Sequence, residues 1–173
     1  MAEEERRFSV TRRQAIAAGG VAAAGAGAAA IVIATSGDDE GEFPPVAVAK
    51  VGDLQPNEPV SFEYPLEGQS SVLVDLGEEV PGGVGDNNSI VAYSALCQHM
   101  GCNVEFVPEG GYMLCPCHQS KYDPAREGNV IQGVAQAPLP RIELEVDGDD
   151  VVAVGVNGLI YGYRENLAPG ARA

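Results

Sequence analysis

Basic residues are scarce in this chain. Ten Lys and Arg stand against 25 Asp and Glu, a formal net charge of −15 over 173 residues, and only Lys50 and Lys121 are lysines. Such a charge excludes nucleic acid as a partner, because binding to a phosphate backbone is driven by basic neutralisation. Four arginines (Arg6, Arg7, Arg12, Arg13) crowd the N-terminus, so after Gly37 only Lys50, Lys121, Arg126, Arg141, Arg164 and Arg172 are basic. That balance is expected of a halophilic surface, where solvated carboxylates maintain solubility under strong screening, or of a surface that meets a basic partner. An internal repeat is lacking, and so is an amphipathic helix beyond the N-terminal stretch. Gly19-Gly20 and Gly25-Ala26-Gly27 lie within an apolar run rather than in a strand-turn-helix, which excludes a nucleotide-binding enzyme.

Cysteine and histidine are also few, but they are concentrated. All four cysteines and both histidines fall in two boxes, Cys97-Gln98-His99-Met100-Gly101-Cys102 and Cys115-Pro116-Cys117-His118-Gln119-Ser120. Thiolate and imidazole together suit zinc, copper(I) or an iron-sulfur cluster. A Cys2His2 zinc finger would offer a cysteine pair and then a histidine pair. Here each box supplies one sulfur, one nitrogen and one extra cysteine. Two thiols are left over from a four-ligand set, and spare thiols in an exported protein suggest a disulfide. A structural zinc site is the alternative, and it would be colourless.

The pattern C-x-H-x-G-C followed by C-P-C-H-x-S resembles the Rieske 2Fe-2S family, in which two histidines replace two cysteines on one iron. The resemblance implies Cys97 and Cys115 on one iron, His99 and His118 on the other, and a Cys102–Cys117 disulfide clamping the two loops. That bridge would contribute roughly 3 kcal/mol on the chain-entropy description. Neutral imidazoles make the cluster less negative, so the potential is expected at roughly −150 to +300 mV, against about −400 mV for an all-cysteine plant-type cluster. The resemblance also implies that Ser120 donates to a bridging sulfide, that Tyr122 donates to a ligand-cysteine sulfur, and that Pro138 lies in a third loop covering the cluster. The alternatives are a turn serine, a core tyrosine and an ordinary linker.

Thr11-Arg12-Arg13-Gln14-Ala15-Ile16 resembles a twin-arginine export signal, and no charge follows from Gln14 to Gly37. That apolar stretch is about the ~20 residues of a bilayer-spanning helix, though rich in Ala and Gly. It reads as a retained transmembrane anchor with Asp38-Asp39-Glu40 outside, the alternative being cleavage after Ser36. Localisation at the outer face of the cytoplasmic membrane follows. The expected organisation is a signal or anchor at 1–36, an acidic linker at 37–45, a Rieske domain at 46–165 and a tail at 166–173. Within the domain, β-rich runs are predicted at 46–51, 60–64, 71–76, 90–93, 142–146 and 151–154, with a hairpin turn at Asp147-Gly148-Asp149-Asp150. The expected fold class is all-β, an antiparallel sandwich with a cluster-binding subdomain, preceded by an N-terminal helix.

Met100, Asp123-Pro124-Ala125 and Gly155-Val156-Asn157-Gly158-Leu159-Ile160-Tyr161-Gly162 are similar to the small subunit of arsenite oxidase, whereas Tyr122 follows the cytochrome bc-type proteins. This resemblance implies an electron-transfer subunit with no catalytic residue of its own. Electrons would arrive from a large molybdopterin subunit and leave to a soluble cytochrome or cupredoxin. In the alternative, the chain serves a quinol-oxidising complex beside cytochrome b, with an exposed histidine taking part in proton-coupled transfer. A stand-alone carrier is the third possibility.

Overall fold

The computed structural model describes residues 43–167. The export signal, the anchor, the cleavage site and the last residues of the tail lie outside that range. Among the described residues no helix is long and apolar enough to cross a membrane.

Among the described residues ten strands alternate with turns: β1 (Val46–Lys50), β2 (Pro59–Glu63), β3 (Ser70–Asp75), β4 (Ile90–Ser94), β5 (Glu105–Val107), β6 (Tyr112–Leu114), β7 (Lys121–Asp123), β8 (Asn129–Gln132), β9 (Arg141–Asp147) and β10 (Asp150–Asn157). Among the described residues helical structure is confined to 3-10 turns at Val51–Asp53 and Pro124–Arg126. The strands form a six-stranded sheet in the order β1-β10-β9-β4-β3-β2 and a four-stranded sheet in the order β5-β6-β7-β8. Every strand pairing is antiparallel. The fold is all-β, as the pattern of short β-rich runs predicts.

The six predicted runs correspond to β1, β2, β3, β4, β9 and β10, all in the large sheet. Asp147 pairs with Asp150 across the predicted hairpin turn. The small sheet is an insertion between β4 and β9, which are themselves neighbours through Ala92↔Ile142 and Tyr93↔Arg141. The chain therefore leaves the large sheet and returns to it at one neck, where the Ser94 N–H donates to the Pro140 carbonyl at 2.8 Å.

Burial explains why this insertion is rigidly based. All five residues of β4 are buried, and their two-residue period divides them between two cores. Val91 and Tyr93 join Val72 and Val74 of β3, then Phe106, Met113 and Tyr122 of the small sheet. Ile90 and Ala92 pack on the opposite side with Leu73, Ile142, Val151 and Ala153. Full burial of each large apolar side chain contributes ~1.5–3 kcal/mol, so the first core alone holds the two sheets together firmly. The Tyr93 hydroxyl also crosses between them, donating to the Pro124 carbonyl at 2.8 Å.

Candidate metal centre

Loop one, residues 97–102, follows β4 after two buried residues, and loop two, residues 115–120, follows β6 directly. Their backbones close in the same way. In loop one the Cys97 N–H donates to the Cys102 carbonyl (2.9 Å) and the Gly101 N–H to the Cys97 carbonyl (2.9 Å). In loop two the Cys115 N–H donates to the Ser120 carbonyl (2.8 Å) and the Gln119 N–H to the Cys115 carbonyl (3.0 Å). Both fifth residues have left-handed backbones, with φ of 71° at Gly101 and 58° at Gln119. The Cys102–Cys117 disulfide, with an S–S distance of 2.04 Å, joins the two loops as the resemblance implies.

The four remaining donors form two separate pairs. Cys97 and Cys115 are free thiols, each 1% exposed, packed in one core where Cys97 acts on the Cys115 thiol. His99 is half-buried and His118 exposed, and their Nδ1 atoms approach to 3.2 Å with the rings nearly perpendicular. Nitrogens bound to one metal at about 2.0–2.1 Å lie at such a spacing. Among the described residues, no three of these four side chains bring their ligand atoms within 4.8 Å of one another. A mononuclear tetrahedral zinc site, with bonds of about 2.0–2.3 Å, requires all four donors to crowd more closely than that. One sulfur pair and one nitrogen pair, set apart, fit two metal ions. The sulfurs of Cys102, Cys115 and Cys117 do cluster within 4.8 Å, but the disulfide removes two of them as thiolate ligands.

The surroundings match this donor set. The Cys115 thiol is pushed up from its ordinary pKa by burial and then by its hydrogen bond with Cys97, so cation binding must displace a proton there. Tyr122, fully buried on β7, accepts the Gln98 N–H at 3.1 Å and lies 3.1 Å from Cys97 Sγ. Either atom of that contact can be the donor, and with the Gln98 N–H accepted the phenol proton is free to be given to the sulfur. Burial, then that hydrogen bond, raises the Tyr122 pKa, so the phenol stays a donor. Ser120 is also fully buried, and its hydroxyl accepts the N–H groups of Val134 (3.2 Å) and Ala135 (3.1 Å). Its own proton has no acceptor among the described residues, which suits a cluster sulfur. Segments 95–104, 112–120 and 131–140 contain no Asp, Glu, Lys or Arg in a chain of net charge −15. Exposed Met100, next to His99 in the chain, and exposed Val134, whose N–H meets Ser120, add apolar surface to the loops.

The third loop, 133–140, meets loop two at its first residues. Gly133, with φ 101°, lies so close that a Cβ there would be 2.5 Å from Ser120 Cα, and Val134 and Ala135 supply the hydrogen bonds. Pro138 is exposed and lines a cavity at the neck with Glu127, Asn129, Leu139, Arg141 and Asn157. Sequence reasoning also passed over Gln119. A glycine in a loop already singled out was the available signal for Gly133, whereas nothing in the residue type marks Gln119 as left-handed.

The Rieske [2Fe-2S] domain family matches residues 44–143 of the chain. The chain belongs to the Rieske family. Its cofactor is a Rieske-type 2Fe-2S cluster. The iodate reductase subunit IdrB of Denitromonas iodatirespirans is 42% identical over 132 residues, covering 75% of this chain and 71% of that one. The cytochrome bc1 complex Rieske iron-sulfur subunit of Streptomyces lividans is 39% identical over 64 residues, 36% of this chain and 38% of that one. Among solved structures, the soluble domain of the Rieske protein II (soxF) from Sulfolobus acidocaldarius superimposes with a TM-score of 0.61 at 28% identity, covering 75% of this chain and 85% of that one. This Rieske chain is an electron-transfer protein.

Proposed function

We propose that Cys97 and Cys115 hold one iron and His99 and His118 the other, and that the chain is an exported relay subunit of a molybdopterin oxidoreductase of the arsenite oxidase type. The observation that carries the ligand assignment is the separation of a buried sulfur pair from a surface nitrogen pair 3.2 Å apart. When bound, the cluster accepts and returns single electrons. The residues around it do the rest. Cys97 and Cys115 anchor its inner side in the core shared by the two sheets, Tyr122 and Ser120 direct protons towards sulfur, and the histidines form the edge through which a partner exchanges electrons. Hydrogen bonds to sulfur stabilise the reduced state and so raise the potential.

Likeness to an iodate reductase subunit across three quarters of the chain supports association with a large catalytic oxidoreductase subunit. A relay of this kind works in either direction, set by the potentials of its partners. In the arsenite oxidase direction electrons pass from the large subunit to a cytochrome or cupredoxin, while a reductase runs them the other way. The segment 1–36 anchors the protein on the outer face of the membrane in this reading, followed by the linker at 37–45, the domain at 46–165 and the tail at 166–173. A second reading, the quinol-oxidising complex with cytochrome b, is favoured by the Tyr122 contact to Cys97 and by the shorter bc1 match.

Mild detergent extraction, identification of copurifying chains and EPR of the intact complex test the proposal. A Rieske signal that appears with arsenite, or vanishes with iodate after prior reduction, alongside a large molybdopterin chain, is the expected result. A signal driven by quinol in a complex with cytochrome b contradicts it in favour of the second reading.

A further inference from the structure

The two cluster loops are braced differently from outside. Loop two is tied through Ser120 to the third loop, whereas loop one is tied through Cys97 and Gln98 to the Tyr122 hydroxyl of β7. The outer side of loop one also meets an aromatic ring from the strap after β10. A Cβ on Gly101 would sit 2.7 Å from Tyr161 Cδ1 and 3.0 Å from Cε1, and the Tyr161 hydroxyl reaches Met100 Sδ at 4.0 Å. Gly101 is the residue whose N–H closes loop one on Cys97. Its bare α-carbon is what admits the ring at that distance.

The segment carrying this ring is built rather than draped. After β10, Ile160 is fully buried. The Asn166 side chain spans the turn, accepting the Ile160 N–H (2.9 Å) and donating to the Gly158 carbonyl (2.8 Å). Gln69, fully buried before β3, donates to the Asn166 carbonyl at 2.9 Å while accepting the Leu66 N–H at 3.0 Å. The strap at 158–166 is thus pinned to the large sheet at one end and seated on loop one at Tyr161. It lies beyond the 44–143 covered by the family match.

We infer that Tyr161 is a positioning residue for loop one, pressed onto Gly101 by the Gln69–Asn166 anchor, and that it fixes His99 and Met100 at the electron-exchange edge. This rests on the ligand assignment above for its redox consequence, but not for its structural one. Packing of the ring excludes water from the closing hydrogen bond, and local opening of a loop is controlled by such contacts. The strap's ring meets Gly101 and Met100 of loop one, so loss of the strap loosens that loop and spares the other.

The test is hydrogen exchange and EPR on the full-length, cluster-containing protein. Tyr161→Ala raises exchange across residues 97–102 by about tenfold or more, the factor that ~1.4 kcal/mol of lost local stability gives, with residues 115–120 unchanged. The same variant broadens the EPR features of the reduced cluster, and Tyr161→Phe, which retains the ring, restores both. Asn166→Ala, which frees the strap without touching the ring, reproduces the loop-one effect at reduced size and serves if Tyr161→Ala does not fold. Unchanged exchange in loop one for both strap variants, equal loosening of both loops, or a Phe variant as loose as the Ala variant overturns the inference. Selective loosening of loop one in protein that gives no Rieske signal leaves the strap standing and defeats the ligand assignment.

Discussion

Loops one and two have one backbone design and two side-chain layouts. Each begins with a buried cysteine, closes on that cysteine's carbonyl through the N–H of a left-handed fifth residue, and ends with a carbonyl accepting the cysteine's own N–H. The histidine, however, stands third in loop one and fourth in loop two, and the disulfide cysteine sixth in one and third in the other. The frame is therefore set by main-chain hydrogen bonds, leaving side-chain positions free to serve the shared site. It converges two nitrogens at the surface and two sulfurs in the core from loops that are not superposable residue by residue. The fifth residue records what lies outside each loop: Gly101 is covered by a ring, while Gln119 faces solvent.

The largest effect comes from the inner pair. Cys97→Ala and Cys115→Ala each abolish the visible absorption and EPR signal of the cluster, because each loop contributes one indispensable sulfur; an intact signal in either would show that the loops are not equivalent halves. Next, the double change Cys102→Ala with Cys117→Ala uncouples the loops. Denaturant unfolding of the cluster-depleted protein should reveal a loss of roughly 3 kcal/mol for a bridge closing about 15 residues.

The fifth position separates the loops most clearly. Gly101→Ala is expected to lower stability by about 2 kcal/mol or more, from the left-handed backbone and from collision with the Tyr161 ring. Gln119→Gly relieves the same backbone cost at an open site and should stay within about 1 kcal/mol of the parent. Thermal melts of the two variants side by side decide whether the surroundings differ as described. The smallest effects are redox. Tyr122→Phe and Ser120→Ala each remove a donor aimed at sulfur, and each lowers the midpoint by roughly 40 mV, since ~1 kcal/mol of hydrogen bonding is worth that much for one electron. An unchanged midpoint in spectroelectrochemical titration removes the residue from this role.

Much of this was legible in the sequence because the site uses the rarest reactive residue types and places all of them in two boxes. The large sheet was legible for a different reason: its strands are five to eight residues long and rich in apolar and β-branched residues. Strands β5, β6 and β7 have three residues each, too few to carry a period, so the sheet that holds the loops was largely hidden. Tyr122 could be assigned a role from its place after box two, but its position on a strand paired with β6 could not. Pro138 shows the reverse. Its residue type marks the third loop, while the close approach of that loop to loop two is made by Gly133. The Tyr161–Gly101 contact joins positions 60 residues apart and has no local pattern to announce it.

Pulsed EPR of the dithionite-reduced full-length protein, grown with 15N-histidine, tests the ligand assignment most directly. Two inequivalent histidine nitrogens strongly coupled to the cluster are expected, falling to one in His99→Cys or His118→Cys. A reduced cluster with no coupled histidine nitrogen, or a colourless protein containing one zinc per chain, would contradict it.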